Sequence, residues 1–189
     1  MRNKRPADRS APASNATLRY LTPLQVDRLA AAAREHSRYP DRDVAMIMLA
    51  YRHALRVSEL CGLRWADINL DDGTVAVARG KGGAPAVHPL ARGDRRLLTA
   101  LKGSGEAHLF TGERGEVMTP PGVRRLLRRL GELAGLGRVH PHMLRHAAGY
   151  KLVNDGVGIR TIQAYLGHRA IESTVRYTEV DARRFRGLF

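Results

Sequence analysis

Only one window of this chain alternates with a period of two, and it is short. Thr74–Arg79 places Val75 and Val77 on one face, Gly80-Lys81-Gly82-Gly83 has the composition of a hairpin turn, and Ala84–His88 returns. Asp71-Asp72-Gly73 is a turn signal just ahead of it, and Trp65–Leu70 is expected to begin the sheet. The segments on either side carry helical spacing instead. The chain therefore runs helices, a small antiparallel sheet, then helices, and its fold class is α+β, mostly α.

The helices have their own signals. Thr22 is placed to cap the first one and Pro23 to open it, with Leu24, Val26, Leu29 and Ala32 as its apolar side. Asp41–Leu55 holds Val44, Met46, Ile47, Met48 and Leu49, too apolar a run for a surface element, so it is expected at the centre of the core. Arg56–Leu63 and Ala91–Lys102 follow as helices, and His108–Phe110 as a short strand. In Pro120–Ala134, Val123, Leu126, Leu127 and Leu130 share one face, which leaves Arg124, Arg125, Arg128 and Arg129 on the other. Beyond it come three short helices and a basic, apolar tail, Asp181–Phe189.

Charge narrows the partner. The 189 residues carry a formal net charge of +14, with a pI near 11.1. A domain this basic takes a polyanion as its default partner. Residues 1–19 form a basic arm holding Arg2, Lys4, Arg5, Arg9 and Arg19, expected to be flexible, and 20–189 are read as one domain with its tail. The single cysteine, Cys61, excludes a disulfide framework and reads as a core residue. No apolar run reaches membrane-spanning length and no secretory signal opens the chain, so a cytoplasmic protein is expected.

The chemistry concentrates between His140 and Tyr177. The run His140-Pro141-His142-Met143-Leu144-Arg145-His146 sets His142 and Arg145 three apart on a helix, on one face. Leu166-Gly167-His168 follows, and Tyr177 stands nine residues beyond His168. An arginine, two histidines and a tyrosine in one pocket suit a phosphodiester. A guanidinium grips non-bridging oxygens with a planar fork, and a phenol attacks phosphorus once a base takes its proton. A rival reading takes His140, His142 and His146 as metal ligands. No cysteine or carboxylate cluster completes such a set, and attack by a phenol needs no metal and keeps the phosphoester energy in the covalent link, so no metal and no cofactor are expected.

These motifs resemble the active-site region of the tyrosine recombinases, or integrases, and the longer run through Gln163-Ala164-Tyr165-Leu166-Gly167-His168-Arg169 looks most like the short fimbrial phase-variation invertases among them. Ala54-Leu55-Arg56-Val57-Ser58-Glu59-Leu60 is similar to the family's first arginine motif, with Ala54 where glycine is common, a change expected to cost little. The resemblance implies a catalytic set of Arg56, Lys81, His142, Arg145, His168 and Tyr177. Arg56 and Arg145 would clamp the scissile phosphate, with Glu59 orienting. Lys81, on a glycine-flanked tip, would protonate the leaving 5′ oxygen. His142 would accept the tyrosine proton and His168 would bond a phosphate oxygen. Arg124, Arg125, Arg128 and Arg129 would face double-stranded DNA.

The implied activity is site-specific recombination through a 3′-phosphotyrosyl link. The implied assembly is a monomer or weak oligomer without DNA and a homotetramer on two sites, with accessory DNA-bending proteins as further partners. Most of the family adds an N-terminal DNA-clamping domain, for which this chain leaves no room, and the fimbrial invertases lack it as well. The alternatives are relaxation of DNA in the manner of type IB topoisomerases and a catalytically idle DNA-binding regulator.

Overall fold

The computed structural model describes residues 20–79, 85–101, 107–168 and Thr174. Helix α1 (Pro23–His36) starts at a reciprocal cap: the Thr22 hydroxyl accepts from the Gln25 N–H at 3.3 Å, and the Gln25 side chain accepts from the Thr22 N–H at 2.9 Å. Its buried face is Val26, Leu29, Ala32 and Ala33, reinforced by Leu21 just before the cap. Leu24, expected on that face, is 71% exposed, because the i, i+3, i+7 stripe starting at Val26 excludes it.

Helix α2 (Pro40–Arg52) is the central element, and Val44, Ala45, Met46, Ile47, Leu49 and Ala50 are all buried. It packs on α1 and on the later helix α6 (Pro141–Asn154), and it ends three residues earlier than its apolar run predicts. The reason is Ala54, whose φ of +51° turns the chain before α3 (Val57–Gly62). The exchange of glycine for alanine at this position is therefore not cheap. A left-handed backbone costs a residue with a Cβ roughly 1–2 kcal/mol.

Trp65–Asp67 forms a single 3-10 turn rather than strand, which leaves β1 only Ile68–Asn69. Strands β2 (Thr74–Val77) and β3 (Ala86–Pro89) complete an antiparallel sheet of order β1-β2-β3. Val75 pairs with His88 and Val77 with Ala86. The expected glycine hairpin turn, Gly80–Gly83, lies outside the described residues. His108 makes one isolated bridge to Arg64 in place of a strand.

Helices α4 (Arg92–Leu101), α5 (Pro120–Leu133), α6 (Pro141–Asn154) and α7 (Ile159–Leu166) follow. At 14 residues α6 is a full helix, not a short one, with Met143, Leu144, Ala147 and Ala148 buried. No helix among the described residues is long and apolar enough to cross a membrane.

Candidate active site

Glu59 lies in the first turn of α3, and its side chain is 3% exposed. Its Oε2 accepts from the Arg56 backbone N–H at 2.8 Å, and its Oε1 from Arg56 Nη1 at 2.6 Å. Burial works to raise the Glu59 carboxyl. The hydrogen bonds from the Arg56 N–H and guanidinium, with the charges of Arg79 and Arg56, outweigh it, and the pKa lies below the ordinary value. Arg56 is half-buried and anchored at one end of its fork by a carboxylate that stays ionised.

Arg145 projects from α6 into the interior. Nη1 donates to the Ala54 carbonyl at 2.5 Å and Nη2 to the Leu166 carbonyl at 2.6 Å. Nη1 also stands 3.9 Å from Glu59 Oε2. The turn at Ala54 aims its carbonyl at this guanidinium. A single arginine thus joins the segment carrying Arg56 to the segment carrying His168.

His142 stands one helical turn before Arg145 and is exposed. Partial desolvation, then the positive charge of Arg145 and the neighbouring His140, Arg56 and Arg124, lower its pKa from 6.5. The shift favours the neutral ring, which can accept a proton. His168 follows Gly167, which closes α7 in the left-handed region at φ +63°. Its Nδ1 lies 2.9 Å from Thr174 Oγ1, a side chain buried three residues ahead of Tyr177 in the chain. The His142 and His146 rings are 6.1 Å apart, and among the described residues no three His, Cys, Asp or Glu side chains are grouped to hold a metal ion. Lys81 and Tyr177 lie outside the described residues.

On α5 the division of faces is as expected. Val123, Leu127 and Leu130 are buried and Leu126 is half-buried, while Arg124, Arg125, Arg128 and Arg129 are exposed. Arg124, Arg125 and Arg128 join Arg138 and His140 around a groove of about 300 Å³.

One arginine is not singled out by any motif. Arg79 is 5% exposed and sits among the groups just described. Its Nη1 donates to Glu59 Oε2 at 2.9 Å, and its Nη2 to the carbonyls of His53 at 3.2 Å and Tyr165 at 2.5 Å. The signal was present in the period-two pattern: Arg79 shares the core-facing parity of Val75 and Val77.

The fold is that of tyrosine-recombinase catalytic domains. The crystal structure of XerA recombinase superposes with a TM-score of 0.77 at 28% identity, over 88% of this chain and 62% of that one. XerH site-specific recombinase bound to its difH substrate, 22% identical, shares the fold with a TM-score of 0.72 over 88% of this chain and 52% of its own. The chain belongs to the phage integrase family, whose model matches residues 19–184, and is by that membership a tyrosine site-specific recombinase. It is 39% identical over 180 residues to type 1 fimbriae regulatory protein FimE of Escherichia coli K12, covering 90% of each chain. FimB of the same strain is 33% identical over 185 residues, 94% of this chain and 92% of its own. Tyrosine recombinase XerC of Xanthomonas campestris pv. campestris strain B100 is 37% identical over 145 residues, 74% of this chain but 45% of that one.

Proposed function

We propose that the chain cuts and rejoins double-stranded DNA with Tyr177 as nucleophile, and that the outcome is inversion of the segment between two sites. One observation carries the reading. Arg145 bonds both the Ala54 and the Leu166 carbonyls, which brings the Arg56, His142–Arg145 and Leu166–His168 motifs to one place.

In the proposed reaction Arg56 and Arg145 hold the two non-bridging oxygens, with Glu59 orienting them. Fixed guanidiniums stabilise the charge that grows there during attack, and losing such a donor typically slows a reaction ~10²–10³-fold. The Tyr177 oxygen bonds phosphorus as its proton passes to His142. The P–O5′ bond breaks, and Lys81 gives a proton to the departing oxygen. An ordinary lysine, with a pKa of about 10.4, needs neighbouring positive charge or desolvation to act this way. His168 bonds a phosphate oxygen. A 5′ hydroxyl from another strand then attacks the phosphotyrosine and releases Tyr177. The bond energy stays in the covalent link, so the cycle takes no cofactor.

Exchange of both strands at two sites calls for four protomers on DNA, acting in the cytoplasm on sites brought together with or without accessory bending proteins. Arg124, Arg125, Arg128 and Arg129 are the proposed DNA-facing set. The inversion subtype rests on the near full-length overlap with FimE and FimB. XerH, of the same fold, is bound to its difH substrate.

A nicked suicide duplex tests the reading. The parent chain should form a denaturant-resistant protein–DNA adduct, and Tyr177→Phe should bind the duplex without forming it. An adduct from the Phe variant would move the nucleophile elsewhere. A plasmid with two target sites then separates inversion from simple relaxation, which would yield topoisomers without rearranged segments.

A further inference from the structure

We infer that Arg79 is a positioning residue for strand cleavage: by taking Glu59 Oε2 and the turn before His168 in one guanidinium, it fixes where Arg56 and Arg145 stand. The inference rests on the proposed recombinase chemistry.

The geometry is specific. Glu59 offers two oxygens to three arginines. Oε1 is held by Arg56 at 2.6 Å, and Oε2 by Arg79 at 2.9 Å, while Arg145 is held off at 3.9 Å. Arg145 is instead fixed on the Ala54 and Leu166 carbonyls. Arg79 braces the same two segments one layer deeper: Nη1 reaches the Ala54 carbonyl at 3.4 Å, and Nη2 reaches the Tyr165 carbonyl. Both arginines therefore span the same gap, and Arg79 occupies the carboxylate oxygen onto which Arg145 would otherwise collapse.

The arrangement behind Arg79 is built to hold it still. Its Nη2 lies 3.3 Å from His88 Nε2, and an arginine only donates, so that nitrogen presents its lone pair. Burial, then the charge of Arg79 itself, pushes the His88 pKa down to about 3, so the ring is neutral. His88 stacks on the Tyr165 ring with centroids 3.9 Å apart, and the Tyr165 hydroxyl donates to the Arg52 carbonyl at 2.7 Å. A β-strand histidine and an α7 tyrosine thus wall in the guanidinium, and the Arg79 side chain is closed off from solvent.

A positioning role differs from a merely structural one in its dependence on Glu59. The adduct-forming rate on the suicide duplex, duplex affinity and thermal melting are measured for Arg79→Met, Arg79→Lys, Glu59→Gln and the Met/Gln double variant. Arg79→Met should slow adduct formation about 100-fold, the loss typical of a displaced oxyanion donor, with affinity within about threefold. In the Glu59→Gln background the same change should cost under about threefold, because the carboxylate that Arg79 holds has already lost its charge. Arg79→Lys keeps the charge and the fold but cannot bridge Glu59 and the Tyr165 carbonyl together, and should still lose most of the rate. It carries the test if the Met variant does not fold. Equal losses in both backgrounds, or a Lys variant at the parent rate, would overturn the inference. An adduct from the parent chain carries the recombinase reading, and the ratio of variant to parent rates carries this one.

Discussion

Substituting Gly167 by alanine separates backbone strain from active-site packing at the Leu-Gly-His turn. Gly167 has φ +63°, and a Cβ there would meet Arg79 Cγ at 2.8 Å, Cδ at 2.9 Å and Nε at 3.1 Å. The left-handed backbone alone costs an alanine ~1–2 kcal/mol. The Arg79 stem cannot swing away, because its guanidinium is bonded to Glu59, the His53 carbonyl and the Tyr165 carbonyl. Forcing a methyl into such packing adds ~1–3 kcal/mol. The sum, ~2–5 kcal/mol, should lower Tm by roughly 4–20 °C for a chain of this size. Gly156 is the control: its φ is +79°, yet a Cβ there meets nothing within 4 Å. Gly156→Ala should therefore show only the backbone cost, a fall of roughly 2–8 °C, and full adduct-forming activity. Gly167→Ala should also lose adduct formation, since it displaces Arg79 and the Leu166 carbonyl that holds Arg145. Thermal melting and the suicide-duplex assay read both. Equal destabilisation at the two glycines, with activity kept in both, would refute the packing argument and reduce the motif glycine to a helix terminator.

Lys81→Ala should slow cleavage of an ordinary phosphate but not of a duplex with sulfur at the 5′ bridging position, because a thiolate leaves without a proton; equal slowing on both removes Lys81 from the acid role. Alanine at Arg124, Arg125, Arg128 and Arg129 together should reduce the salt slope of log K by about one unit for each phosphate no longer neutralised, measured by titration at several ionic strengths. The folded pKa of His88, about 3, lies below the unfolded value of 6.5, so the unfolded chain binds the extra proton between them. Stability is then fully present above pH 6.5 and falls as pH drops toward 3, at up to about 1.4 kcal/mol per pH unit from this group, and denaturant melts of His88→Gln should show a shallower fall. If the apolar Phe185, Leu188 and Phe189 of the tail serve contacts between protomers, truncation after Asp181 should leave single-site binding nearly intact while weakening synapsis and recombination; unchanged recombination would make the tail a local cap.

The legible parts of the sequence were those written in local periodicity. The two faces of α5 follow from apolar spacing, and the central place of α2 follows from its unbroken apolar run. The placement of His142 and Arg145 one turn apart on a single helix was legible because three residues span about one helical turn. What stayed hidden depends on interactions between distant segments. The left-handed turn at Ala54 closes α2 locally, with the Leu55 N–H on the Ala50 carbonyl at 3.0 Å and the Ala54 N–H on the Tyr51 carbonyl at 3.2 Å, but the use of its carbonyl by arginines 25 and 91 residues away is written in no local rule. Arg79 shows a subtler failure. Its strand parity marked it as buried, but a charge at a core position is credible only once Glu59, 20 residues earlier, is known to face it.

The Glu59 cluster also has a consequence for how the chain behaves in a test tube. Among the described residues it joins three guanidiniums to one carboxylate, two positive charges in excess, within a largely buried space. Like charges held at such range repel, and an oxyanion seated against Arg56, the most exposed of the three, would relieve the repulsion. A bound anion stabilises the folded state by RT ln(1 + [L]/Kd), so sulfate or inorganic phosphate is expected to raise the melting temperature of this chain beyond a chloride salt of equal ionic strength. The same ions weaken the grip on DNA by screening and by competing for the pocket. A buffer chosen to preserve the isolated protein is for that reason expected to be a poor one for assaying it.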